Sequence, residues 1–98
     1  MAEETRLMRR IRRDFPEPGS ANGVLNLLAD GPWDERTTPD GKERIQAAIV
    51  LLANGDLSRL REALAQANSD WRDVLVSAGL EHGDWRERLD QELGPADT

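Results

Sequence analysis

The sequence predicts an all-α protein: a compact bundle of about five short helices with a looser basic arm at the N-terminus. Three observations carry that expectation. No stretch alternates apolar and polar residues with period two, whereas apolar residues recur at about every 3.6 positions in segment after segment. Turn formers separate the segments (Pro16, Pro18, Gly31-Pro32, Asn54-Gly55, Gly79, Gly94-Pro95), and connections of a few residues make consecutive helices pack as neighbours. A length of 98 residues supports a single core.

The elements follow in order. Leu7, Met8, Ile11 and Phe15 fall at helical spacing with Arg on the other faces, and Pro16 and Pro18 end this basic amphipathic segment. A short second helix starts at Ser20 as N-cap, with Val24, Leu25, Leu27 and Leu28 as its apolar side, and Gly31-Pro32 stops it. Residues 31–39 read as a loop around Trp33. Thr38-Pro39 then supplies N-cap and first helical position, with Asp40 and Glu43 as an alternative capping box. The helix that follows, 40–54, is apolar around nearly its whole circumference (Ile45, Ala47, Ala48, Ile49, Val50, Leu51, Leu52), which places it at the bundle centre. Asn54-Gly55 ends it.

Asp56 caps a helix over 57–67, with Leu57, Leu60, Leu64 and Ala67 on one face and a break at Asn68-Ser69. Asp70 caps the next, 70–78, whose inner face is Trp71, Val74, Leu75 and Ala78; Gly79-Leu80 reads as a Schellman ending. Asp84 opens the last helix with Glu87 three residues on, and Trp85, Leu89 and Leu93 line its inner face.

Composition excludes several function classes. There is no Cys, hence no disulfide framework, thiol nucleophile or Cys-ligated metal site, and a single His leaves little that titrates near neutral pH. No run approaches a membrane span or a signal-peptide core. Residues 1–13 hold five Arg and two Glu, a balance of +3, so the rest of the chain carries −9 to reach the net −6. An acidic body argues against general nucleic-acid binding, which needs a net basic face. The 12 Arg against one Lys read as the coding bias of a GC-rich genome.

Few residues stand out as chemical candidates. Asp-Trp-Arg occurs twice, at 70–72 and 84–86, each copy followed by Leu one turn later. The reading is structural: a capping Asp, a Trp facing the core and a Leu beneath it, so Trp71 and Trp85 are expected to be mostly buried. Trp33 either folds back over the bundle or is an exposed anchor for a partner. Arg6, Arg9, Arg10, Arg12 and Arg13 have three uses open to them: docking along the acidic body, binding anionic lipid or nucleic acid, or lying disordered. Residues 57–78 have the outline of a helix-turn-helix, but the second helix offers only Arg72 beside Asp70 and Asp73 for reading bases. His82, flanked by Glu81 and Asp84, lacks the further ligands of a zinc site. No triad, HExxH, P-loop or GxGxxG motif occurs.

Three stretches, Arg44-Ile45-Gln46-Ala47-Ala48, Gly55-Asp56-Leu57 and Asp70-Trp71-Arg72-Asp73-Val74-Leu75 running into Ala78-Gly79-Leu80, carry a resemblance over residues 43–94. That region resembles small uncharacterised helical proteins of high-GC Gram-positive bacteria. The resemblance implies a helical fold and a cytoplasmic bacterial protein, and it brings no activity with it.

The expectations are therefore a basic N-terminal arm at 1–19, a helical domain at 20–94 that holds the fold chiefly through residues 45–93, and a C-terminal tail at 95–98. The leading functional expectation is a non-enzymatic module that binds a protein partner or a second copy of itself, with Trp33, Leu7, Ile11 and Phe15 as contact residues. The competing one is anion binding by the five arginines of the arm. No catalytic, metal or cofactor residue is expected.

Overall fold

The computed structural model of the chain describes residues 5–29, 31, 33 and 36–94. Pro32, Pro95 and the tail at 95–98 lie outside them, as do residues 1–4 of the arm. Among the described residues five helices follow one another: α1 (Arg6–Asp14), α2 (Ser20–Ala29), α3 (Pro39–Ala53), α4 (Leu57–Ala78) and α5 (Trp85–Leu93). No strand occurs among the described residues, so the protein is all-α, within extents of 34 × 30 × 26 Å.

α3 is the hub. Ala47, Ala48, Ile49 and Val50 are each fully buried, and four consecutive positions cover the full circumference of a helix. α4 packs along α3 most extensively, and α1 and α5 also touch it. The Thr38 hydroxyl accepts from the Gly41 N–H at 3.0 Å, so Thr38 and not the Asp40 box is the cap. Asn54 (φ 49°) and Gly55 (φ 81°) both take left-handed conformations, which reverses the chain into α4.

α4 is 22 residues long but holds an internal break. The expected interruption at Asn68-Ser69 falls instead at Asp70, whose backbone is extended (φ −155°, ψ 97°). Its carboxylate accepts from the Arg72 N–H at 3.1 Å, so Asp70 caps the second half of α4 at the kink. Asp56 caps the start, accepting from the Ser58 N–H at 2.8 Å. At the far end Leu80 N–H donates to Leu75 O and Gly79 N–H to Val76 O, at 2.9 and 3.1 Å: the Schellman pattern, with Leu80 buried beside it.

Three expectations are corrected. The first concerns the arm. Leu7, Ile11 and Phe15 are 6%, 0% and 7% exposed and belong to the same core cluster as α3 and α4, and α1 contacts α2, α3 and α5. Its apolar stripe is buried, and Arg6 beside that stripe pairs with Glu43 of α3 and Asp90 of α5, so docking prevails over a loose arm. Nor do residues 45–93 carry the core alone: Val24 and Leu28 of α2 are buried in it as well. The second concerns Trp71, which is 41% exposed. It restarts the helix after the break and lines an open concave surface with Thr37, Thr38, Gly41, Ile45 and Leu75, so part of the indole meets solvent; Trp85 is half-buried. The third is α5, where Asp84 makes no side-chain cap bond. Its backbone (φ −86°, ψ 13°) is away from the extended region from which a cap side chain reaches the following N–H groups.

Candidate functional site

A large concave surface forms where two chain reversals meet. α1 ends at Phe15, whose N–H donates to Ile11 O at 2.8 Å, and Pro16 cannot continue the helix. Gly19 (φ 82°) leads into α2. Opposite lies the α3–α4 turn, where a Cβ on Gly55 would stand 3.2 Å from the Asp14 carbonyl oxygen. The close approach and the left-handed backbone both favour glycine there. Between these segments is a half-open groove of about 840 Å³ with Phe15 and Leu27 in its wall, Pro16 and Pro18 on one side and Leu57 and Arg61 on the other. Leu57 is 42% exposed.

The polar rim is sparse in free charge. Asp14 is held by Arg10 at 3.0 Å and by Arg13 at 3.7 Å. Glu17, Asn26 and Arg61 also line the groove and are exposed. Its size falls in the range of about 300–1,000 Å³ typical of ligand pockets, and the prolines restrict the backbone that forms one wall.

The arginines of α1 divide by face. Arg6 is 5% exposed, and its guanidinium engages Glu43 of α3 at 2.8 and 3.3 Å, Asp90 of α5, and the Gly94 carbonyl at 3.0 Å. The hydrogen bond to Glu43 is the main reason its pKa lies above the ordinary arginine value, against the opposing effect of burial and with Asp90 adding to the rise. Arg10 donates to the Glu92 carbonyl at 2.7 Å as well as to Asp14. Arg9, Arg12 and Arg13 lie on the exposed face. The five therefore do not form one basic surface: two of them tie α1 down.

The expected contact residues are not brought together either. Leu7 and Ile11 are buried inside the bundle and offer a partner nothing, because the same stripe that suggested a contact face is the one the core takes. Phe15 is buried but backs the groove. Trp33 folds back over the bundle. Its indole N–H donates to Leu28 O at 2.6 Å, the ring packs against the core cluster, and Lys42 stands 5.9 Å from its centroid. Gly31 permits this, since a Cβ there would overlap the ring. His82 pairs with Glu81 at 2.7 Å on the surface, and no group of His, Asp or Glu among the described residues could hold a metal ion.

No protein-family model, curated protein or solved structure matches the chain. The groove therefore stands on its own geometry. Sequence reasoning missed Leu57 and Leu27 because each had a sufficient role on a helix face, and Arg61 because nothing local sets it apart from the other arginines. The signal that was present, Pro16-Glu17-Pro18-Gly19, marks a rigid reversal but not what faces it. Among the described residues no helix is long and apolar enough to cross a membrane.

Proposed function

We propose that the protein is a non-enzymatic interaction module that holds an apolar segment of another protein in the groove between the α1–α2 connection and the start of α4. The observation that supports this reading most is Leu57, a large apolar side chain left 42% exposed at the edge of a pre-shaped apolar groove. Restricted walls reduce the ordering cost of binding. The titratable side chains lining the groove are Asp14, Glu17 and Arg61, with Asp14 already ion-paired. Anion binding by the arm has less support, because Arg6 and Arg10 are engaged within the protein. The absence of Cys supports a reducing, cytoplasmic setting.

Leu57→Glu is the direct test. The side chain is exposed at the first position of α4, where an acidic residue suits the helix dipole, so the variant should keep its circular dichroism and melt. Affinity capture from bacterial lysate with native and variant protein should show a partner retained only by the native chain. Identical capture profiles overturn the reading. A concentration-dependent sedimentation coefficient that Leu57→Glu abolishes assigns the groove to a second copy instead.

A further inference from the structure

Ala-Asn-Gly occurs twice, as Ala21-Asn22-Gly23 and Ala53-Asn54-Gly55, and the two copies lie in different backbone. Both asparagines are exposed. Asn22 and Gly23 are inside α2, and the Gly23 N–H donates to Gly19 O at 3.1 Å. Asn54 and Gly55 form the α3–α4 turn, at φ 49° and 81°, and the Gly55 N–H has no acceptor among the described residues. We infer that Asn54 is a site of spontaneous deamidation whose isoaspartate product reshapes the groove, while Asn22 is protected by its helix.

The reaction depends on the residue that follows the asparagine. Its backbone nitrogen loses a proton and attacks the side-chain carbon Cγ. Ammonia leaves, and a cyclic imide joins the two residues. Water then opens the imide. Attack at Cγ gives aspartate; attack at the main-chain carbonyl carbon gives isoaspartate, in which the chain runs through the side chain. Water is the sole co-reactant, and nothing is oxidised or reduced. Glycine suits the step because no side chain hinders the approach of its nitrogen. The two tripeptides are identical, so their surroundings separate them.

To reach Cγ the nitrogen must swing by rotation about the Asn Cα–C bond. In α2 that rotation breaks the Gly23–Gly19 bond together with the helical bonds that span the same peptide. At the turn, Asp56 N–H to Ala53 O, at 2.9 Å, is the one backbone hydrogen bond across the 54–55 peptide among the described residues. The product bears on the groove because Gly55 is part of its lining, with Leu57 two residues on. Gly55 already approaches the Asp14 carbonyl closely. Isoaspartate adds a methylene to the backbone there and leaves a free carboxylate next to Asp56. A packed contact has no room for the added group, so the turn moves away from Asp14 and takes the start of α4 with it. The bearing on partner binding rests on the groove being the partner site; the reaction itself does not.

The test ages the full chain in mildly alkaline buffer, natively and in concentrated urea, and maps its peptides by mass spectrometry for the gain of amide-to-acid conversion. In urea the two copies should convert at similar rates. In the native protein Asn54 should convert about tenfold or more faster than Asn22, a ratio that small differences in local opening free energy produce. NMR of the purified isoaspartate form should show amide shifts at Asp14, Gly55 and Leu57 larger than those of fresh Asn54→Asp, which adds the charge without the methylene. Native Asn22 converting as fast as Asn54, or native Asn54 staying intact while the unfolded chain converts, overturns the site. Isoaspartate shifts no larger than those of Asn54→Asp overturn the effect on the groove. Neither readout uses a partner, so identical lysate captures by native and Leu57→Glu protein overturn binding in the groove and leave the deamidation site standing.

Discussion

Asp70-Trp71-Arg72 and Asp84-Trp85-Arg86 are the same three residues, each followed by Leu one turn after the Trp, and the fold treats them alike at Leu and differently at Asp and Trp. Leu75 and Leu89 are alike, at 3% and 0% exposure. Asp70 is extended and caps Arg72, whereas Asp84 is not extended and caps nothing. Trp71 is 41% exposed with Arg72 at 5.4 Å from its ring; Trp85 is half-buried with Arg44 and Arg86 both over its ring. What precedes each copy explains the difference at Asp. Asp70 follows an unbroken helix and must leave helical geometry for the chain to bend there. Asp84 leaves a tight turn, with Trp85 N–H donating to His82 O at 3.1 Å, so the helix begins with no need of a side-chain cap. The Leu position depends only on helical spacing; the others depend on what the rest of the molecule supplies.

The largest expected effects test the position where the copies agree. Leu75→Ala and Leu89→Ala should each cost about 2–5 kcal/mol, the range for truncating a buried Leu, measured by urea unfolding. Against a total of about 5–10 kcal/mol for a domain of this size, both variants sit close to unfolding. A small cost for one and a large cost for the other would break the equivalence.

The next effect tests where they differ. Trp85→Ala should cost about 2–3 kcal/mol, less than the roughly 3–5 for a fully buried aromatic but including stacked guanidinium contacts of about 0.5–1 each. Trp71→Ala should cost about 1 kcal/mol or less, as for changes at partly exposed sites. Equal costs, or the reverse order, would mean that the two indoles are equally covered in solution.

The same contrast shows what the sequence made legible. Thr38, Asp56, Asp70 and the Gly79-Leu80 ending were readable because a cap is decided within a few residues of chain. The docking of α1 was not, because it rests on partners far along the chain: Arg6 meets Glu43 at a separation of 37 and Asp90 at a separation of 84. The stripe of Leu7, Ile11 and Phe15 was visible, but periodicity does not say whether a stripe faces the core or a partner. Trp33 was legible as two alternatives, and Gly31, which admits its ring, read only as a helix stop. The groove and the concave surface at Trp71 needed two turns or two helices brought side by side, and no local pattern marks such a meeting.

The smallest effect separates the two aspartates. Asp70→Ala removes a side-chain cap, a change that costs about 1 kcal/mol, while Asp84→Ala removes a side chain with no cap bond and should stay within about 0.5 kcal/mol. Stability alone is an incomplete readout, because alanine is the best helix former and favours closing the break at position 70, which returns part of the loss. The indole N–H resonances in NMR supply the second measurement. Straightening α4 turns Trp71 relative to the concave surface it lines, so Asp70→Ala should shift the Trp71 N–H and leave Trp85 in place. Asp84→Ala should shift neither by a comparable amount. Asp70→Asn, which keeps a capping oxygen, should restore both the stability and the Trp71 position. If Asp84→Ala costs as much as Asp70→Ala, the second copy caps its helix after all, and the preceding chain does not decide how this tripeptide folds.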